Sequence, residues 1–147
     1  MRSLGLDVGE KRTGVAISDP HGRFALPLTV ISHNGQDAAI DIIVKLARKY
    51  DIGQIIVGLP YSLNGSLGQQ ANRVKAFAQR LSYTAGLDVE LWDERLSTVA
   101  ADRLLAEAGV KDVKKKKQHR DALAALVVLQ GFLDNLGDRS SSDGASN

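Results

Sequence analysis

Leu4–Asp19 reads LGLDVGEKRTGVAISD. Two short runs with strand-like alternation, Leu4 to Val8 and Thr13 to Ser18, are joined by the polar turn Gly9 to Arg12. Asp19-Pro20-His21-Gly22 then punctuates the chain before Phe24 to Ile31, so the spacing predicts a three-stranded antiparallel meander. From Gly35 the period changes. Ala39, Ile40, Ile43, Leu46, Ala47 and Tyr50 recur at helical spacing, and the apolar run Ile55-Ile56-Val57 follows as a buried strand. After a Gly-, Asn- and Ser-rich loop from Gly58 to Gly68, a second helical face runs through Ala71, Val74, Phe77, Ala78 and Leu81, and Gly86 closes it. Val89 to Trp92 reads as a strand. A third helix is expected to open near Ser97 or Thr98 and to stop at Gly109, with a final apolar helix from Ala122 to Leu136. Strands alternating with helices require crossovers and parallel pairing. The expected fold is therefore α/β, a layered domain with a mixed five-stranded sheet: the meander plus two parallel strands, flanked by helices.

At 147 residues the chain has the usual size of one compact domain. The reading is a single domain over residues 1–137 and a disordered tail over 138–147, where Ser140 to Asn147 is polar and of low complexity. Apolar residues at 44% and charged residues at 24% fit a globular protein. The absence of cysteine excludes a disulfide framework and Cys-ligated metal sites and suits a reducing cytoplasm. The N-terminus carries neither a signal-peptide core nor a membrane span, so a cytoplasmic location without membrane attachment is expected. Net charge is only +2. It is unevenly placed, with Lys111, Lys114, Lys115, Lys116, Lys117 and Arg120 close together. Such a run is commonly a solvated loop and becomes a phosphate-binding candidate when acidic chemistry lies beside it.

Asp7 interrupts an otherwise apolar strand, where an uncompensated carboxylate is costly. It is either a strand-end acid bonded to turn amides or a metal ligand. Gly5 and Gly9 fall on its face by the period of two, which predicts open space beside it. Asp93 and Glu94 end another strand, and only one of them can share a face with Asp7. We favour Glu94, although the pair could equally complement a helix N-terminus. Asp121 opens the last helix as a candidate ligand or as a plain N-cap. All three lie at ends of core elements, where ligands of layered α/β sheets bind. With oxygen donors and no paired histidines, Mg²⁺ or Mn²⁺ suits this set better than zinc. Two such ions about 4 Å apart, sharing carboxylates, can drive phosphodiester hydrolysis. His21 and His33 read as surface residues, and His119 as a loop residue near Asp121.

The chain resembles the YqgF/RuvX proteins, described as Holliday junction resolvases and as nucleases that process the 5′ end of pre-16S rRNA. The resemblance rests on LGLDVGEKRTGVAISD, on IIVGLPYSLNGSLGQQA at Ile55–Ala71, on DERLST at Asp93–Thr98 and on RDALAALVVLQGFL at Arg120–Leu133. It implies an RNase H-like fold, catalytic and metal-binding acids at Asp7, Glu94 and Asp121, and Mg²⁺ or Mn²⁺ as cofactor. It also supports Glu94 over Asp93. Lys11, Arg12 and Arg95 look like phosphate-side residues, with an ion pair to a nearby acid as the alternative, and Lys114, Lys115, Lys116, Lys117 and Arg120 would hold flanking phosphates. Asn64 and the segment Gln118-His119-Arg120 depart from the family pattern. Compared with RuvC resolvases, the last helix offers one acid where that pattern uses two.

The expected function is metal-dependent cleavage of structured nucleic acid, with pre-rRNA favoured and branched DNA as the alternative. Ribosomal particles are possible partners, and the chain would act as a monomer or homodimer. A further alternative is a non-catalytic ribosome-assembly protein. Asp-x-Gly followed by Gly-Val-Ala also resembles the first phosphate loop of actin-like and sugar-kinase ATPases. Those bind nucleotide between two such domains, and this chain has room for one.

Overall fold

The structure, a computed structural model, describes residues 1–60, 68–93 and 121–136. Strands β1 (Arg2–Val8), β2 (Arg12–Ser18) and β3 (Ala25–Ser32) are followed by helix α1 (Gln36–Lys49) and strand β4 (Ile52–Leu59). Helix α2 (Gln69–Ala85), strand β5 (Asp88–Asp93) and a helix over residues 121–136, here α3, complete the described chain. The strands form one sheet in the order β3-β2-β1-β4-β5. The β1/β2 and β2/β3 pairs are antiparallel, whereas β1/β4 and β4/β5 are parallel. This is the mixed sheet expected from the sequence. The third helix expected over residues 97–109, the basic loop and the tail at 138–147 lie outside the described residues.

Alternation along the strands sorts side chains onto two faces. Leu4 and Leu6 of β1, Val15 and Ile17 of β2, and Ile55, Val57 and Leu59 of β4 are buried against α1 and α2. Those helices contribute Ile40, Ile43, Val44, Val74, Phe77 and Leu81 at helical spacing. The opposite face is built from smaller residues. Ala16, Ala25 and Ile56 pack under Ala125, Val128, Leu129, Phe132 and Leu133 of α3, with Trp92 of β5 at the margin.

The turns follow from local chemistry. At the β2–β3 turn, Asp19 Oδ1 accepts N–H bonds from Arg23 (2.7 Å) and Phe24 (2.8 Å), fixing the bend. The Phe24 amide, opposed in part by desolvation, holds the exposed Asp19 carboxyl below its ordinary pKa. Gly86 ends α2 in the left-handed region at φ 68° and donates its N–H to the Ser82 carbonyl (2.9 Å).

Two expectations need correction. His33 is 8% exposed and hydrogen-bonds through Nε2 to Thr13 Oγ1 (2.9 Å). It is not a surface residue: Thr13 turns toward α1 and α2, and the chain leaving β3 lays the imidazole over it. Burial pulls the His33 pKa below the usual imidazole range, against a smaller upward effect of the Gly35 backbone. The second correction concerns Gly5. A Cβ there would meet Leu129 Cβ at 2.6 Å and the Ala125 carbonyl oxygen at 3.0 Å. The space beside it is filled by α3 and is not open to a ligand. His21 is exposed, as expected.

Candidate active site

Asp7 lies near the C-terminal end of β1, half-buried, directly across from Gly14 of β2. Because Gly5 of the same strand faces α3, the period of two puts Asp7 on that face also. The start of α3 rests on Gly14: a Cβ added there would fall on the Asp121 carbonyl oxygen, closer than real Cβ atoms come to any neighbour. Helix start and strand pair therefore meet at one point. The first described residue of α3, Asp121, is seated over the strand partner of Asp7 because position 14 has no side chain.

The β1–β2 turn forms the rim. The Gly9 N–H donates to the Arg12 carbonyl (2.9 Å), and the His33 N–H donates to the Lys11 carbonyl (2.9 Å). A Cβ at Gly9 would lie 2.5 Å from the Arg12 carbonyl oxygen, so this tight turn requires glycine. Arg12 Nε lies 3.2 Å from Asp121 Oδ2, with the two side chains 30% and 24% exposed. Gly9, Glu10, Lys11, Arg12 and Asp121 line an open cleft of about 420 Å³. Sequence reasoning passed over Glu10, which also pairs with Arg73 of α2 (3.3 Å). Its only signal was an acid within the turn that follows Asp7.

Of the candidate residues, the structure brings together Asp7, Lys11, Arg12 and Asp121. Glu94, Arg95, Lys114, Lys115, Lys116, Lys117 and Arg120 lie outside the described residues, as do Asn64 and His119. In β5, Trp92 packs edge-on against Phe132 of α3 (5.8 Å between ring centroids, 86°). Val89 and Leu91 pack on the α1/α2 side. Alternation thus gives Asp93 to the face opposite Asp7. One turn along α3 from Asp121 stands Ala124, 3% exposed, with no second acid at that position.

Among the described residues no group of three or more His, Asp or Glu side chains is placed to hold a metal. Carboxylates that suit a hard cation stand at Asp7 and Asp121, on one face and at one end of the sheet, while that of Glu10 on the rim is paired with Arg73. No helix among the described residues is long and apolar enough to cross a membrane.

A mixed sheet of this order, with helices on both faces and acids where β1 meets the last helix, defines an RNase H-like fold of the resolvase type. Two solved structures share it: Thermus thermophilus RuvC (TM-score 0.58, 14% identity, 93% of this chain and 97% of that one) and the fowlpox virus resolvase in complex with Holliday junction DNA (TM-score 0.58, 11% identity, 92% and 99%). Residues 1–135 match the RuvX family, described as Holliday junction resolvase, and the chain belongs to that family. Relatives named "Putative pre-16S rRNA nuclease" include one from Pelotomaculum thermopropionicum, 45% identical over all of this chain and 96% of its own length. Another, from Bacillus thuringiensis, is 49% identical over 92% of this chain and 99% of its own. The family is one of nucleases acting on nucleic acid.

Proposed function

We propose that this chain is a divalent-metal-dependent nuclease that hydrolyses phosphodiester bonds in structured nucleic acid, and that its physiological task is processing the 5′ end of pre-16S rRNA. The observation that carries the reading is the seating of Asp121 over Gly14, the strand partner of Asp7, beside a cationic turn. Asp7 and Asp121 are the proposed metal ligands, and Glu94 the third. Glu94 lies outside the described residues, and its assignment rests on the DERLST motif, which carries the acid at this position in similar proteins, and on Asp93 falling to the face opposite Asp7. Mg²⁺ or Mn²⁺ held there, as one ion or as a pair sharing carboxylates, would supply Lewis-acid stabilisation of the charge that develops on the phosphate.

The chain's own residues do the rest. Asp7 and Asp121 fix the donor geometry from two rigid elements, a central strand and a helix start. Lys11 and Arg12 line the cleft as phosphate-side cations, a role that positions nucleic acid without reading its sequence. Arg95, Lys114, Lys115, Lys116, Lys117 and Arg120 are assigned to flanking phosphates, where each contact steepens the fall of affinity with salt.

The family description, Holliday junction resolvase, supports a second reading with branched DNA as substrate. The names of the 45–49% identical relatives favour RNA. One assay separates the two: purified protein with Mg²⁺ or Mn²⁺ on pre-16S rRNA 5′ fragments and on four-way DNA junctions, alongside Asp7→Asn. Cleavage of the RNA by the wild type and none by the variant is expected. Cutting of the junction alone would move the substrate to DNA, and equal cleavage by Asp7→Asn would remove the catalytic reading.

A further inference from the structure

The carboxylate that the proposed function gives to a metal is paired with a cation of the chain itself. Arg12 Nε stands 3.2 Å from Asp121 Oδ2. A guanidinium and a divalent ion cannot both take that oxygen's strongest interaction. We infer that Arg12 is the resident counter-cation of Asp121: it neutralises the carboxylate in the metal-free protein and is displaced by the incoming ion, which frees its guanidinium for substrate phosphate in the same cleft. This rests on Asp121 being a metal ligand.

Four features of the site carry the exchange. Asp121 cannot easily retreat from its place near Asp7, because its own backbone is pressed onto Gly14. Two carboxylates at one end of the sheet favour a cation between or beside them, and in the metal-free chain Arg12 is the cation that stands against one of them. The Arg12 backbone, by contrast, is held independently of its side chain. Its carbonyl accepts the Gly9 N–H and its position pairs with Ser32 of β3, so the guanidinium can leave while the turn stays. The side chains are 30% and 24% exposed, whereas the shared oxygen, Asp121 Oδ2, is itself buried, and their contact is an ion pair without hydrogen-bond geometry, an arrangement that a dication with twice the charge can displace.

The exchange has a consequence for binding order. If the metal releases Arg12 toward phosphate, metal and nucleic acid each raise the other's affinity, since coupling between two ligands is reciprocal. The cleft of about 420 Å³ lined by Lys11, Arg12 and Asp121 is where the released side chain would meet a phosphate.

The test is calorimetric titration of Mn²⁺ into the full-length protein without nucleic acid. Wild type, Arg12→Gln, Lys11→Gln and Asp121→Asn are compared at fixed ionic strength, with thermal melts to establish that each variant is folded. Arg12→Gln is expected to bind Mn²⁺ about two- to fivefold more tightly than wild type, the range spanned by a weak ion pair. Lys11→Gln removes the same charge from the same turn and should change affinity by less. Equal tightening by Lys11→Gln would reduce the effect to general electrostatics and overturn the inference, as would unchanged or weaker binding by Arg12→Gln while Asp121→Asn loses Mn²⁺. Equal Mn²⁺ binding by wild type and Asp121→Asn, or none by wild type, would instead sink the metal reading on which the inference rests.

Discussion

The two faces of the sheet are packed by different rules. Toward α1 and α2, large side chains such as Leu4, Leu6, Ile43, Phe77 and Leu81 interlock, and the helices stand off at the distance those side chains impose. Toward α3, Gly5 and Gly14 let a helix backbone come down almost onto the strands. The first face supplies burial and little else. The second gives up apolar volume for proximity, and proximity is what carries Asp121 to Asp7. Stability and site geometry are thus concentrated on opposite sides of one sheet.

Substitutions on the two faces should separate these properties. The largest loss of stability is expected from Phe77→Ala, which removes a fully buried ring on the α1/α2 side. It should cost about 3–5 kcal/mol in chemical denaturation while leaving cleavage per folded molecule near the wild-type value. A matching fall in cleavage would show that the faces are not independent. Gly14→Ala should do the reverse: α3 must lift, and a displacement of about 1 Å at a catalytic group lowers the rate by about 10²-fold, with a smaller change in the urea midpoint. Cleavage at the wild-type rate would mean that the Asp121 seating is irrelevant to chemistry. Gly5→Ala forces Leu129 aside further along the same helix, and a loss of about 1–3 kcal/mol is expected by thermal denaturation, with less effect on rate than Gly14→Ala.

The smallest effect is one of pH. The folded-state pKa of His33 lies below the ordinary 6.5, so the unfolded chain binds more protons wherever the pH is near or below that value. Stability on this account is full above about pH 6.5 and declines as the pH falls toward the folded pKa. Urea midpoints measured from pH 7.5 down to 5 should fall more steeply for wild type than for His33→Gln. Parallel curves would show that the imidazole is not held neutral by the fold.

Much of the scaffold could be read from the chain because local rules governed it. The meander declared itself through alternation around two polar turns, α1 and α2 through helical spacing, and the end of α2 through Gly86. Strand β4 proved longer than its apolar run, Ile52–Leu59 rather than Ile55–Val57, since pairing with β1 on one side and β5 on the other carries Gly53 and Gln54 into the sheet. What local rules could not supply were contacts between distant segments. Gly5 read as a vacancy because the sequence does not say that Leu129 fills it, and His33 read as a surface residue because Thr13 lies across a sheet pair. At the site, a charge inside an apolar strand singled out Asp7, and its position at a helix start singled out Asp121. Their meeting point depended on how α3 crosses β2, and the Arg12–Asp121 contact followed from it.

The Gly14 contact also has a bearing on time. Asp7 lies on β1 and Asp121 on α3, more than a hundred residues further along the chain, so synthesis delivers the first carboxylate well before the second. A hairpin can form early from adjacent residues, whereas docking α3 must close a loop of more than a hundred residues, a slow kind of contact to make. The proposed cutting centre therefore comes into being only once α3 has docked. An unfinished or truncated chain would own the first acid without the last, and a nascent nuclease would be harmless to the RNA around it.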